Sequence, residues 1–150
     1  MATVAIDFDG PVHWYRYGWQ DGVIYDDPTP GAFDAIRRLQ QDYAVVVFTC
    51  RDAVQVADWL TGRGIPTALD VPGTSLFWND RATVLVTNRK PAAVVYIDDR
   101  GIRFSNWAQT LADFDAHETG FRARTGLDRV QEAVTRARGG PPPAQVRGFA

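Results

Sequence analysis

Three short apolar runs constrain the fold of this chain more than any other feature of its sequence. They are Thr3–Ile6, Ala44–Phe48 and Val94–Ile97, and each is rich in β-branched or aromatic residues without polar alternation. This pattern is typical of strands that are covered on both faces in a parallel sheet. The runs therefore predict a sheet whose strands are joined by crossover connections.

Four segments have the apolar spacing of amphipathic helices. Start signals stand at Thr29-Pro30, Asp52, Ser105 and Asp128. Their apolar faces comprise Phe33, Ile36 and Leu39; Val56, Trp59 and Leu60; Trp107, Leu111 and Phe114; and Val130, Ala133, Val134 and Ala137. Strands that alternate with such helices predict βαβ units, and thus a three-layer α/β fold with a doubly wound, mostly parallel sheet.

Two further segments are predicted to form β-hairpin flaps beside this sheet. Val12–Tyr25 contains Asp21-Gly22, a strong hairpin signal, and Ser75–Thr87 has its turn at Asn79-Asp80. One domain is predicted over residues 1–138. The tail from 139 to 150 contains three consecutive prolines and is predicted to be disordered.

Composition and charge exclude some function classes and favour others. The 150 residues contain no apolar run near the ~20 that a membrane span needs, and no signal-peptide core. A single cysteine, Cys50, excludes an internal disulfide and is predicted to be buried; these features together predict a cytoplasmic protein. Residues 1–30 carry five Asp against one Arg, which favours a metal site over a nucleic-acid surface. The basic residues near the C-terminus are interpreted as a solvated helix face.

Polar residues end each of the three predicted strands. The sequences are Asp7-Phe8-Asp9-Gly10, Thr49-Cys50-Arg51-Asp52 and Asp98-Asp99-Arg100. Open parallel sheets bind ligands outside the carboxyl ends of their strands, so these side chains are expected to converge. Converging carboxylates repel one another unless a cation lies among them, and an all-oxygen ligand set fits Mg²⁺ best.

The order of these motifs resembles that of the haloacid dehalogenase-like phosphohydrolase superfamily. Its Asp-x-Asp-Gly motif is matched at Asp7–Gly10, its strand-ending Thr or Ser at Thr49, its Lys at Lys90 and its acidic pair at Asp98-Asp99. The resemblance covers residues 3 to 115 and is strongest to a small subgroup without a large cap domain. The residue after Gly10, commonly Thr in the family, is Pro11 here, which removes a hydroxyl and an N–H from the loop.

The resemblance implies a catalytic role for four residues. Asp7 would attack phosphorus and form an aspartyl-phosphate. Asp9 would protonate the leaving oxygen and then accept a proton from the hydrolytic water. The Thr49 hydroxyl and the Lys90 ammonium would hold the phosphoryl oxygens. Lys90 is the only lysine among 16 basic residues, which favours a specific role for it.

The resemblance also implies a Mg²⁺ site. Asp7, the backbone carbonyl of Asp9 and Asp98 would bind the ion directly. Asp99 would bind it through water or orient another ligand.

Some neighbouring residues have more than one interpretation. Arg51 either binds the substrate or forms a salt bridge with the acidic cluster. The aromatic side chains of Trp14, Tyr15, Tyr17 and Trp19 either pack a flap against the sheet or stack on a nucleobase or sugar of the substrate. His13 is expected to have a structural or solvent-exposed role.

The sequence thus predicts a Mg²⁺-dependent phosphomonoesterase. Its substrate would be a nucleotide, a phosphorylated nucleic-acid end, a sugar phosphate or another monoester. Two alternatives remain: a catalytically silent binding module, supported by Pro11, and a phosphoacceptor receiver domain. The receiver alternative is weaker because receivers have the acidic pair on the first strand, whereas here Asp98-Asp99 comes last.

Overall fold

Parallel strands form the framework of the structure. The computed structural model describes residues 1–125, and the contacts divide the chain into two compact units, Met1–Arg100 and Gly101–Ala150. The elements in chain order are β1 (Thr3–Asp7), α1 (Ala32–Leu39), β2 (Ala44–Phe48), α2 (Ala53–Thr61), β3 (Thr67–Leu69), β4 (Val84–Thr87), β5 (Val95–Ile97) and α3 (Trp107–Thr125). All but α3 belong to the first unit.

The five strands form one sheet in the order β3-β4-β2-β1-β5, and every pairing is parallel. The predicted α/β class with a parallel sheet is therefore confirmed. Strand β1 has β2 on one side and β5 on the other, so it lies where the strand order reverses. Open α/β sheets bind ligands at such a position.

The core of the first unit lies between the sheet and helices α1 and α2. Ile36 of α1 and Leu60 of α2 are almost fully buried. They share one apolar cluster with alternate residues of the central strands, namely Val4, Ile6, Val45, Val47, Val84 and Val86. Because alternate strand residues point to the same face, both helices cover one face of the sheet.

The two helices begin for different local reasons. Asp52 caps α2 as predicted, because its Oδ1 accepts hydrogen bonds from the backbone N–H groups of Val54 (2.9 Å) and Gln55 (3.1 Å). The predicted start of α1 at Thr29 is too early, and the helix begins at Ala32. The Thr29 hydroxyl instead donates to the Gly10 carbonyl oxygen over 2.6 Å, which ties the start of α1 to the loop after β1.

Neither predicted hairpin forms. In Ser75–Thr87, the second half is β4, which pairs in parallel with β2 and β3, while no strand forms over 75–83. Strand β4 occupies an interior position in the sheet, where Val84, Leu85 and Val86 are buried. The free energy gained by burying these apolar side chains outweighs that of a local hairpin with its turn at Asn79-Asp80.

The first predicted hairpin, Val12–Tyr25, is an irregular loop with a 3₁₀ turn at Gln20–Gly22. Asp21 does adopt a positive φ of 52°, as the Asp-Gly signal suggests. The flanking residues make only isolated bridges, which join His13 to Asp9 and to Pro28. The loop is organised by side-chain hydrogen bonds, which are described below.

Strand β5 differs from its prediction in burial. It was expected to be covered on both faces, but Val95, Tyr96 and Ile97 are all exposed. The faces of a strand are covered only where other elements pack above and below the sheet, and the apolar composition of the strand does not determine that packing.

The second unit contains α3, which begins at Trp107 rather than at Ser105. Asn106 Oδ1 accepts a hydrogen bond from the Gln109 backbone N–H (2.9 Å). None of the helices within residues 1–125 is both long and apolar enough to cross a membrane. The predicted helix at Asp128, the tail 139–150 and the end of the predicted domain at 138 lie outside the described residues.

The core assignment predicts unequal effects for two apolar residues of α2. Leu60→Ala should lower the free energy of unfolding by about 2–5 kcal/mol, because it leaves a cavity under the sheet. Val54→Ala, on the exposed side of the same helix, should change it by less than about 0.5 kcal/mol. Urea denaturation of both variants measures the difference, and equal losses would contradict the described packing.

Candidate active site

Strand register brings the predicted motifs together at one edge of the sheet. Asp7 is the partner of Phe48 on β2, and Phe48 is the partner of Thr87 on β4. On the other side, Ile6 is the partner of Ile97, which directly precedes Asp98. The carboxyl ends of parallel strands lie at the same edge of the sheet. This edge therefore carries, next to one another, Asp7, Thr49 and the Asp98-Asp99 pair.

Asp7, Asp98 and Asp99 form an acidic cluster. Each contributes a carboxylate oxygen, and these oxygens lie within 4.8 Å of one another. Asp7 is half-buried, whereas Asp98 and Asp99 are exposed. Burial first, and then the charges of Asp98 and Asp99, raise the pKa of Asp7 to about 7. The cluster thus holds more negative charge than its surroundings neutralise.

Gly10 permits the close approach of the Asp99 carboxylate to the loop after β1. A Cβ at this position would lie 2.5 Å from Asp99 Oδ2, and the backbone has a φ of +100°. Both the space and the conformation require glycine. The turn at Gly10 therefore also brings the first motif into contact with the last.

Asp9 lies in a different environment from Asp7. Its carboxylate forms a hydrogen bond with His13 Nδ1 (2.8 Å, to Oδ1). It also accepts from Arg51 Nε, at 3.0 Å to Oδ1 and 2.8 Å to Oδ2. The Asp9 carboxylate is not a member of the acidic cluster, and the predicted metal contact of Asp9, through its backbone carbonyl, remains a prediction.

Arg51 is 3% exposed, and its side chain donates hydrogen bonds to other groups of the protein. Besides Asp9, it donates from Nη1 to the Gly22 carbonyl (2.7 Å), and its guanidinium lies 4.6 Å from the Trp19 ring centroid. Its Nη2 is buried without a hydrogen-bond partner among the described residues. Of the two interpretations of Arg51, the structure shows the salt bridge with Asp9; a substrate contact remains a prediction.

Thr49 is buried at the end of β2, and its hydroxyl oxygen accepts a hydrogen bond from the Arg51 backbone N–H (3.0 Å). The Asn88 side-chain amide donates to the carbonyls of Thr49 (2.6 Å) and Arg51 (2.7 Å), and so fixes this loop to the end of β4. Asn88 was not singled out in the sequence. Cys50, between the two, is exposed rather than buried as predicted, because it lies in the loop beyond the end of β2.

Lys90 is exposed, and its Nζ lies 5.2 Å from the centroid of the Tyr96 ring. The preceding residue, Arg89, binds Asp70 through Nε (2.7 Å) and Nη2 (2.6 Å), which anchors the loop that carries Lys90. The predicted contact of Lys90 with phosphoryl oxygens remains a prediction.

The aromatic residues of the loop after β1 are mostly accessible. Trp14, Tyr17 and Trp19 are 40%, 69% and 49% exposed. Packing against the sheet therefore does not account for them. The Arg16 guanidinium lies 4.0 Å from the Trp14 ring centroid, and stacking of Trp14 on a substrate remains a prediction.

Of the two roles expected for His13, structural or solvent-exposed, its burial fits the structural one. His13 is fully buried; besides Asp9, it contacts the backbone N–H of Asp26, which donates to Nε2 over 3.0 Å. Arg16 binds the Asp26 carboxylate (Nη2 to Oδ1, 2.6 Å) and holds the pKa of that carboxyl well below its usual range. In the sequence, the signal for the contact between His13 and Asp9 is the turn at Gly10-Pro11, because such a turn brings His13 back beside Asp9.

The acidic cluster fits a hard divalent cation. Its donors are all carboxylate oxygens, and burial first, then repulsion from Asp98 and Asp99, raises the pKa of Asp7; a bound cation would offset both effects. Asp7, Asp98 and Asp99 are the residues that could hold such an ion. Comparison of the chain with protein-family models, with curated proteins and with solved structures finds no match.

The raised pKa of Asp7 predicts a pH-dependent stability in metal-free buffer. Between the unfolded value of 3.8 and about 7, the folded state keeps a proton that the unfolded state has lost, so stability falls as pH rises. Asp7→Asn should remove this penalty. The variant should match the wild type near pH 4 and exceed it at pH 8 by on the order of 1–2 kcal/mol, after allowance for solvent screening.

Urea denaturation with EDTA at both pH values measures this difference. Asp58→Asn, on the exposed side of α2, is the matched control and should show no such trend. A constant difference between Asp7→Asn and the wild type at the two pH values would contradict the assigned environment of Asp7.

Proposed function

We propose that this protein is a Mg²⁺-dependent phosphomonoesterase of the haloacid dehalogenase-like type, acting through an aspartyl-phosphate on Asp7. The observation that carries the proposal is the contrast between Asp7 and Asp9. Asp7 belongs to a carboxylate cluster that needs a cation, while Asp9 is held by Arg51 and His13. Two carboxylates with such different environments suit two different tasks.

The first step forms one bond and breaks another at phosphorus. An Asp7 carboxylate oxygen attacks the phosphorus, and the bond from phosphorus to the ester oxygen breaks. Asp9 enters this step in the protonated form that the second step regenerates, and it gives that proton to the departing oxygen, so the product leaves as an alcohol. The phosphoryl group is then carried by Asp7 as an acyl-phosphate.

The second step returns the site to its starting state. Asp9, now a carboxylate, takes a proton from water as the water oxygen attacks phosphorus. The bond between phosphorus and the Asp7 oxygen breaks, which releases inorganic phosphate and restores the Asp7 carboxylate. Asp9 therefore acts as the general acid in the first step and as the general base in the second.

Neutral and cationic donors would hold the transferring group. The Thr49 hydroxyl accepts a bond from the Arg51 N–H, so its own hydrogen is free to donate to a phosphoryl oxygen. Lys90, on the loop anchored by Arg89 and Asp70, would supply the positive charge. When bound by Asp7, Asp98, Asp99 and the Asp9 carbonyl, Mg²⁺ would neutralise charge on the phosphoryl oxygens.

The class of substrate follows from the surroundings of the site. The exposed aromatic residues Trp14 and Trp19 favour a phosphate ester that carries a flat or apolar group, such as a nucleotide or a phosphorylated nucleic-acid end. Sugar phosphates and other monoesters are the remaining candidates.

The nucleophile assignment predicts the effect of one isosteric substitution. Asp7→Asn should reduce the release of phosphate from p-nitrophenyl phosphate in Mg²⁺ by on the order of 10⁴-fold or more, because the amide cannot form an acyl-phosphate. Asp58→Asn should retain wild-type turnover. Mass spectrometry of quenched wild-type enzyme should find one phosphoryl group on the peptide that contains Asp7.

Two results would count against the phosphatase proposal. Turnover that survives in Asp7→Asn would exclude this nucleophile. A wild-type protein that releases no phosphate from nucleotides, sugar phosphates, phosphorylated oligonucleotides or p-nitrophenyl phosphate would favour the silent binding module.

The metal assignment predicts a stabilisation that does not depend on turnover. Mg²⁺ at ten times its Kd should raise the free energy of unfolding by about 1.4 kcal/mol, and Tm by on the order of 3–6 °C, because it binds only the assembled cluster. Asp98→Ala should remove most of this shift, and Asp58→Ala should not. A melting temperature that is indifferent to several millimolar Mg²⁺ would contradict the site.

A further inference from the structure

The hydrogen bonds of His13 determine which of its ring nitrogens carries a proton. A backbone N–H can only donate, and the Asp26 N–H points at Nε2 over 3.0 Å, so Nε2 must be the unprotonated acceptor. In a neutral imidazole the proton then lies on Nδ1. Nδ1 is 2.8 Å from Asp9 Oδ1, so the ring donates to this carboxylate.

The surroundings of His13 prevent the ring from turning to another arrangement. The side chain is fully buried and stacks on Phe8, with 5.5 Å between the ring centroids and 14° between the planes. The edges or faces of Tyr25 and Trp59 lie at centroid distances of 5.2 and 5.9 Å. Dense packing of this kind holds a side chain in one rotamer.

The Asp26 N–H that fixes the tautomer is itself held in place. The Asp26 carboxylate accepts hydrogen bonds from the Arg16 backbone N–H (3.0 Å) and from the Arg16 guanidinium (Nη2 to Oδ1, 2.6 Å), and it also accepts from the Asp27 N–H (2.9 Å). The loop of residues 12–28 is thereby closed around His13. Trp14, Tyr17 and Trp19 of this loop are exposed, whereas His13 and Asp26 are buried.

The two oxygens of Asp9 are left with different capacities. Oδ1 accepts from both His13 Nδ1 and Arg51 Nε, while Oδ2 accepts from Arg51 Nε alone. Among the described residues, Oδ2 is therefore the oxygen with the larger unused acceptor capacity. A proton exchanged by Asp9 is directed to Oδ2.

We propose that His13 is a positioning residue for Asp9: its neutral ring, protonated on Nδ1, orients the carboxyl group so that Oδ2 exchanges the proton with the leaving group. The inference rests on the proposed phosphomonoesterase activity and adds a residue to it. His13 does not touch the substrate; it acts through Asp9. A supporting hydrogen bond of this kind fixes geometry to the precision that proton transfer requires.

Two substitutions separate the hydrogen bond to Asp9 from the remaining contacts of the ring. In His13→Asn, the side-chain amide can take the place of Nδ1 and donate to Asp9. In His13→Gln, the amide oxygen can take the place of Nε2 and accept from the Asp26 N–H, but the donor to Asp9 is lost. Both variants lose the stacked ring, so they form a matched pair for packing.

Two substrates separate proton donation from general damage to the site. Glycerol 2-phosphate has an alkoxide leaving group that must be protonated, whereas p-nitrophenolate leaves without a proton. The quantity to compare is kcat/KM, which reports on steps up to the first irreversible one. In His13→Gln, the fall in kcat/KM should be about tenfold or more larger on glycerol 2-phosphate than on p-nitrophenyl phosphate. In His13→Asn, which restores the donor to Asp9, most of this difference between the two substrates should disappear.

Equal losses on both substrates in both folded variants would overturn the proposal, because a purely structural role affects both reactions alike. Asp9→Asn provides the reference for complete loss of the proton donor. If the wild-type protein hydrolyses neither these two esters nor nucleotides, sugar phosphates and phosphorylated oligonucleotides, the proposed function fails and the positioning role with it. A wild type that is active without the substrate-dependent pattern leaves the proposed function standing and overturns the role of His13 alone.

Nitrogen-15 NMR tests the hydrogen bond without any turnover. The chain has two histidines, so the His13 signals are assigned by their loss in His13→Gln. We expect a protonated Nδ1 and an unprotonated Nε2 in the wild type, and a shifted Nδ1 proton in Asp9→Asn. Protonation on Nε2 instead, or an Nδ1 signal indifferent to Asp9→Asn, would overturn the proposal.

Discussion

The parallel register of β1 with its two neighbours is the constraint on which the candidate site depends. Asp7 stands beside Phe48 and one residue past the partner of Ile97, so the ends of three strands meet around it. A shift of one residue would turn every side chain of β1 to the opposite face. Burial of Val4 and Ile6 under α1 and α2 excludes such a shift, and the core thereby fixes the position of the carboxylates.

Asp7 and Asp9 are separated by one residue, yet they meet opposite electrostatic surroundings. Asp7 still belongs to β1 and faces the Asp98-Asp99 pair across the β1–β5 ladder. Asp9 lies beyond the strand end, where the turn at Gly10 brings back His13 and where Arg51 approaches from the end of β2. One short motif thus supplies one member of an anionic cluster and one hydrogen-bonded carboxylate, because β1 ends at Asp7 and the chain turns at Gly10, directly after Asp9.

Local patterns were sufficient for some elements and misleading for others. Asp52 capped α2 as predicted, since an N-cap depends on residues two and three positions away. The run at Val84–Val86 follows a plausible turn, which predicts a hairpin, but it forms a buried strand between β2 and β3. Burial of apolar side chains at a central position in a sheet contributes more stability than pairing with a local antiparallel strand. The sequence around a strand does not indicate which position in the sheet the strand will occupy.

The sequence by itself determined the α/β class, three of the five strands and the set of acidic and hydroxyl residues at their ends. These follow from short-range periodicity and from the rule that parallel strands end at one edge. Only the tertiary structure decided which carboxylates share a cluster and which partners each one has. Arg51 reaches Asp9 across 42 residues, and the Asp26 N–H reaches His13 across 13. Such contacts depend on the packing of separate segments, whose relative positions no local pattern encodes.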